Sequence, residues 1–284
     1  MSRIDDLVKQ LCPGGVDFRS LGDIAQTISG LTGKSKEDFS DGNARFVTYR
    51  NVFANPAVDQ SPSDFVKVAP GERQNRLRAG DVVFTGSSET ADEVGMSSVV
   101  MTEPSEALYL NSFCFIVRLH DPGTLVPGFS KHLFRGERAR SQIRRTASGV
   151  TRINVSKARF MKVRIPVPPL EIQREVARAL DLFTELEANL EEELEARRRQ
   201  YAYYRDHLLT FSDAVPRLAL GEVISDVRTG LNPRSNFKLN PPGAANLYIT
   251  VRELGGFGLI PSDKTDRVDD EALARIQDRS RLRP

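Results

Sequence analysis

Four short motifs occur twice in this chain, in the same order and at nearly the same separation, which restricts the fold to two related modules joined by a connector. Leu21-Gly22-Asp23-Ile24 returns as Leu220-Gly221-Glu222-Val223, and Gly30-Leu31 as Gly230-Leu231. Phe46-Val47-Thr48-Tyr49-Arg50-Asn51-Val52 returns as Tyr248-Ile249-Thr250-Val251-Arg252-Glu253-Leu254. Arg76-Leu77-Arg78 returns as Arg281-Leu282-Arg283, and the sequence stops one residue later. The offset drifts only from 199 to 205 residues. Pieces that keep order and spacing belong to units that fold alike. The first copy runs on for about 85 residues beyond the point where the second stops. The expectation is therefore one complete module and one incomplete module.

The connector reads as a single long helix from about Pro169 to Leu209. Proline is tolerated in a first helical turn because its missing N–H would be unpaired there anyway. Neither Gly nor Pro interrupts the residues that follow. Val176, Phe183, Leu190, Arg197 and Tyr204 recur every seven residues, as do Leu180, Glu187, Leu194, Tyr201 and Leu208. The two series interleave at three and four, the seam pattern of a coiled coil. The expected pairing interface is Val176, Leu180, Phe183, Leu190, Leu194, Tyr201, Tyr204 and Leu208. At about 1.5 Å per residue the rod is about 60 Å long, longer than a domain of this size is wide. Its seam calls for a partner helix.

On either side, the composition is that of folded domains. The chain has 284 residues, 39% hydrophobic and 27% charged, enough for two ordinary domains and unlike a disordered segment. No apolar run approaches the roughly 20 residues of a membrane span. The N-terminus carries acids where a signal peptide would be basic and then apolar. Cys12 and Cys114 are isolated, which suits a reducing cytoplasm. The net charge of +2 conceals a sorted distribution. Residues 131–164 hold eleven Lys or Arg and a single acid, Glu137. That excess points to a polyanionic partner. Between residues 17 and 166, the segments 46–53, 81–85, 97–101 and 113–119 read as strands. Residues 127–145 read as a helix and 161–167 as a further β-like stretch.

Several of these residues carry a resemblance. The run Ile165-Pro166-Val167-Pro168-Pro169-Leu170-Glu171-Ile172-Gln173, continuing through Leu180-Asp181-Leu182-Phe183-Thr184, Leu194-Glu195-Ala196-Arg197 and Tyr201-Ala202-Tyr203-Tyr204-Arg205-Asp206, resembles the central conserved region of the specificity subunit of type I restriction-modification systems. Leu11-Cys12-Pro13-Gly14-Gly15-Val16 and Gly80-Asp81-Val82-Val83-Phe84 look like further recurrent pieces of that family. The resemblance implies an α+β chain. A globular mixed α/β target-recognition domain at 1–166 is followed by a long coiled-coil-forming spacer helix at 167–212, then by the start of a second, incomplete target-recognition domain at 213–284. It implies binding to double-stranded DNA, each recognition domain reading one half of a bipartite site while paired antiparallel helices fix the gap. It also implies modification subunits carrying an adenine methyltransferase and a restriction subunit that translocates and cleaves. S-adenosylmethionine, ATP and Mg are then expected on those partners, with no cofactor, metal or catalytic residue in this chain. A second recognition domain that stops short fits a truncated gene, a shuffled segment, or a half-subunit that dimerises through its helix. The alternative function is an antagonist that occupies modification subunits without reading DNA.

The residues themselves agree with a non-catalytic reading. Asn240-Pro241-Pro242-Gly243 approaches the adenine methyltransferase tetrapeptide but ends in Gly, which cannot stack on a flipped base. No Walker motif is present, and His120, His132 and His207 are scattered. For DNA, Arg138, Arg140, Arg144, Arg145, Arg152 and Lys157 suit phosphates, whereas base edges need short polar or forked side chains on loops. The loops that offer them hold Lys34 and Lys36, Tyr49-Arg50-Asn51, Ser87 and Ser88, and Thr151, Arg152 and Asn154. The segment 148–154 ranks highest because it joins the basic helix to the strand before the rod.

Overall fold

The computed structural model describes residues 3–225, 227, 230–256 and 258–280. The Arg281-Leu282-Arg283 piece of the repeat lies outside them. The chain divides into two compact units, Met1–Tyr201 and Ala202–Pro284.

The first unit begins with α1 (Arg3–Leu11), β1 (Phe18–Ser20), α2 (Leu21–Ile24), β2 (Ala25–Ser29), β3 (Ala44–Val47), α3 (Tyr49–Ala54) and β4 (Phe65–Val66). It continues with β5 (Val82–Thr85), β6 (Ser87–Ser88), β7 (Ser97–Val99), β8 (Leu108–Leu110) and β9 (Cys114–Leu119). After these come α4 (Pro127–Leu133), α5 (Glu137–Arg145), β10 (Ala147–Ser148), β11 (Ile153–Val155), α6 (Lys157–Phe160), β12 (Arg164–Pro166) and the rod α7 (Leu170–Leu208), whose residues from Ala202 on belong to the second unit. An antiparallel sheet in the order β2-β9-β5-β7 forms the centre. Successive side chains of a strand face opposite sides, and here both sides are covered. Phe84 and Phe115 point into one core with Phe134 and Phe160, Phe84 lying 4.9 Å from Phe160 and 5.3 Å from Phe134 between ring centroids. Val83 and Ile116 point into another with Val47, Val52 and Leu110. Burial on both faces is why Val82-Val83-Phe84 is a continuous apolar run rather than an alternating one.

Smaller sheets frame the centre. β3 pairs antiparallel with β4 and parallel with β8. β6, β11 and β10 form a three-stranded sheet, and β1 pairs with β12, placing Phe18 opposite Pro166 at the foot of the rod. The first turns of α7 bury Ile172, Gln173 and Ala177. Gln173 ties the helix down: its Oε1 accepts from the Val126 N–H at 2.8 Å, and its Nε2 donates to the carbonyls of Thr124 and Pro168.

Three of the elements expected from sequence are corrected. Only the first part of 46–53 is a strand. Thr48 Oγ1 accepts from the Asn51 N–H and caps a helix, α3, that overrides the β-like composition. The 127–145 helix is two helices, with Gly136 leading the second. Within 161–167 only Arg164–Pro166 is strand, after the short α6. Val176, placed in the expected pairing interface, is partly buried against the core of its own domain.

The second unit holds α8 (Leu220–Val223), α9 (Pro233–Asn236), β13 (Asn246–Leu247), β14 (Arg267–Val268) and α10 (Asp270–Ser280). It repeats one strand pair of the first unit and the contacts around it. Ala44 pairs with Val66 in β3–β4, and Asn246 with Val268 in β13–β14, both residues shifted by 202. The Phe46 N–H donates to Asp64 O, and the Tyr248 N–H to Asp266 O, with the same shift. Leu31 shares a core cluster with Phe46 and Val66, as Leu231 does with Tyr248 and Val268. Among the described residues, no helix is long and apolar enough to cross a membrane.

Candidate nucleic-acid interface

Residues from four separate stretches converge on one cleft of the first unit. Tyr49, Ser87, Ser88, Glu89, Glu93, Phe113, Thr151 and Arg152 line a volume of about 620 Å³. β6 forms its floor, and β11 holds the following loop through the pairs Ile153–Ser88 and Asn154–Ser87. The loop at 149–152 turns on Gly149, whose φ is +135° and whose added Cβ would lie 2.1 Å from Arg152 O. Only glycine fits so tight a turn.

Several polar groups in the cleft are held. The Tyr49 hydroxyl donates to Ser87 O at 2.9 Å. Arg152 donates from Nε and Nη2 to Ser87 Oγ at 3.1 and 3.0 Å, and its guanidinium carbon lies 4.9 Å from the centroid of the Phe113 ring. Ser88 Oγ is 3.4 Å from Glu93 Oε2 and accepts from the Thr90 N–H. Beside the cleft, Asn154 Nδ2 donates to Arg152 O at 3.1 Å. Lys157 Nζ donates to Ser29 Oγ at 3.3 Å.

The structure thus brings Tyr49, Ser87, Ser88, Thr151 and Arg152 together, with Asn154 adjacent, while Lys157 reaches Ser29 outside the lining. It does not do so for the others. Arg140 is buried, its Nη1 and Nη2 donating to the carbonyls of Gly95 and Asp92. Burial holds its pKa below the ordinary arginine value, and it is not a phosphate contact. Lys34 Nζ is spent on Glu72 at 2.5 Å and on Lys67 O. Asn51 pins the Asp59 loop through both side-chain atoms. Arg144 lies 2.5 Å from Glu137, while Lys36, Arg50 and Arg145 are exposed. The basic segment therefore serves the fold as much as any partner. Arg135, too, donates to the carbonyls of Ser97, Val52 and Phe53, and Arg164 to Phe18 O. Phe113 and Glu93 are functional candidates that the sequence pattern does not single out. Neither has a distinctive spacing, and only the fold sets them beside Arg152.

Comparison with known proteins now bears on the site. The model of the type I restriction modification DNA specificity domain matches residues 13–196. This chain belongs to that family. The match takes in the cleft and the first part of α7. A specificity subunit of the type I restriction enzymes EcoR124I/EcoR124II from Escherichia coli is 47% identical over 68 residues, 22% of this chain and 17% of that protein. A putative type I specificity subunit from Haemophilus influenzae is 36% identical over 84 residues, 27% of this chain and 22% of that one. Among solved structures, a type I S subunit from M. genitalium gives a TM-score of 0.43 at 14% identity, over 88% of this chain and 63% of that one. The HsdS subunit from Thermoanaerobacter tengcongensis gives 0.44 at 20%, over 70% and 48%. In every case this specificity-family chain matches less than two thirds of its relative's length.

Proposed function

We propose that this chain is a DNA-reading frame of a type I restriction-modification assembly. Residues 1–166 read one half of a bipartite site through the Arg152 cleft, α7 pairs with a second copy, and modification subunits bound to this frame supply the adenine methyltransferase. The chain makes and breaks no bond itself, and a restriction subunit adds ATP-driven cleavage. The observation that carries the reading is the convergence of loops distant in sequence on one polar cleft, inside the segment that matches the specificity family.

The rod supports the pairing. Phe183, Leu190, Leu194, Tyr201, Tyr204 and Leu208 are all exposed along it. Charge favours an antiparallel partner. Glu185, Glu187, Glu191, Glu192, Glu193 and Glu195 precede Arg197, Arg198, Arg199 and Arg205. A parallel copy would set acid against acid, whereas a reversed copy sets acid against base. The present ion pairs of Arg197 with Glu193 and Arg199 with Glu195, each 3.5 Å, are exposed and intrahelical. Such pairs are worth only about 0.3–0.5 kcal/mol, so they exchange readily for partners across the seam.

Copurifying the chain with its modification subunits and mapping methylated adenine on genomic DNA tests the function. A symmetric interrupted motif is expected. Absence of methylation, together with absence of salt-dependent duplex binding, would overturn it.

A further inference from the structure

We propose that the Arg152 cleft reads one G·C base pair from the major groove, with Arg152 on the guanine and Glu93 on the cytosine; this rests on the DNA-reading function above. The chemistry of the lining excludes a phosphate as the occupant. Glu89 and Glu93 outnumber Arg152 there, and at like distances two carboxylates repel a phosphate oxygen more strongly than one guanidinium attracts it. The cleft needs a ligand that both donates and accepts.

Arg152 defines the accepting half. A guanidinium has five N–H groups in a fixed fork. Nε and one Nη2 hydrogen are spent on Ser87 Oγ, which leaves the Nη1–Nη2 edge open to two adjacent acceptors. The Phe113 ring under the guanidinium fixes its plane. Gly149 fixes where it is aimed, because the turn that carries it admits no side chain. Glu93 defines the donating half. Ser88 Oγ lies 3.4 Å from its Oε2, and a carboxylate held in this way accepts from an exocyclic amine.

Only one base pair presents that pattern. Guanine offers O6 and N7 as neighbouring acceptors, with the N4 amine of cytosine beside them. An A·T pair places its amine between its two acceptors, which would set a donor against the arginine fork.

Selection from a randomised duplex library by the full chain with its modification subunits tests the assignment. The wild-type motif should include a G·C pair whose selectivity falls on the order of ten- to a hundred-fold in Arg152→Lys and in Glu93→Gln, other positions being kept. Arg152→Lys retains the charge and loses the fork, so a phosphate contact would survive it and a bidentate base contact would not. Both residues are exposed, and the variants should melt with the wild type. Phe113→Leu should weaken the same position by releasing the guanidinium plane. A wild-type motif that neither Arg152→Lys nor Glu93→Gln alters, or one that they alter at an A·T pair, would overturn the assignment while leaving DNA reading intact. A wild type that selects no motif would overturn DNA reading itself, and the assignment with it.

Discussion

A guanidinium's role is decided by what surrounds it, and the arginines of 131–164 divide on that ground. Replacing Arg140 with Met should destabilise the first unit by about 1–3 kcal/mol, because the carbonyls of Gly95 and Asp92 lose their donor in a buried place. Urea unfolding reads the loss. Arg145→Ala should leave stability unchanged, since the side chain is exposed, and should weaken duplex binding for all sequences alike. Its log–log salt slope should fall by about one if the residue neutralises one phosphate. Glu72 gives a pH prediction of known sign. Hydrogen bonds from the Lys34 ammonium, Gln74 and the Ala69 N–H hold its pKa down from 4.5 to about 2. A depressed carboxyl stabilises the fold above its unfolded pKa, and that contribution fades as pH falls from 4.5 toward 2. The protection factors of the amides at 69–74 should therefore fall through that window, before the central sheet opens. At this scale the sequence was legible in part. Spacing and composition drew attention to the polar loops of Arg152 and Ser87, which the fold brings together in one cleft. They could not separate Arg140 from Arg145, five residues apart on one helix, because which face is buried depends on the sheet that α5 covers.

Elements were more legible where local preference and tertiary packing agree. The rod runs Leu170–Leu208, close to the expected bounds, because forty residues without Gly or Pro leave helix as the one long element available. α3 was missed because a single threonine cap redirects a stretch of Phe, Val and Tyr. The rod also changes character along its length, which the heptads do not reveal. Its first turns belong to the domain core, through Ile172, Gln173 and Ala177, while Leu190 is 57% exposed. Substitutions should divide the same way. Gln173→Leu should destabilise the first unit by about 1–3 kcal/mol, since the Val126 N–H loses its acceptor and two carbonyls lose their donor. Leu190→Lys should leave that stability untouched and abolish self-association, since a charge in the seam must be desolvated to pair. Light scattering at micromolar concentration should read a wild-type dimer and a Leu190→Lys monomer, and thermal melting the unchanged stability of the latter. A wild-type monomer in the presence of modification subunits would exclude pairing through α7.

The described residues hold two copies of one structural idea on cores of unequal size, and that asymmetry predicts how the chain unfolds. The repeat was readable because Leu31, Phe46 and Val66 in one unit, and Leu231, Tyr248 and Val268 in the other, perform the same packing task and so keep the same spacing. What could not be read was which residues build each core. In the first unit that hairpin leans on a central sheet buried on both faces, with Phe84, Phe115, Phe134 and Phe160 on one side and Val83 and Ile116 on the other. In the second, the buried cluster among the described residues is Leu231, Val268, Ala272 and Ile276, with Phe237, Leu239 and Tyr248 partly buried against it. Hydrophobic stabilisation scales with the apolar area removed from water, while the entropy of ordering a residue is the same in either unit. The smaller cluster must therefore yield first. Urea should produce two transitions, the earlier with the smaller slope because it exposes less surface. Ile276→Ala should remove about 2–5 kcal/mol from the earlier transition and leave the later one in place. Phe160→Ala should act on the later transition alone, by about 3–5 kcal/mol. A single transition that both substitutions shift would mean that the two units fold as one.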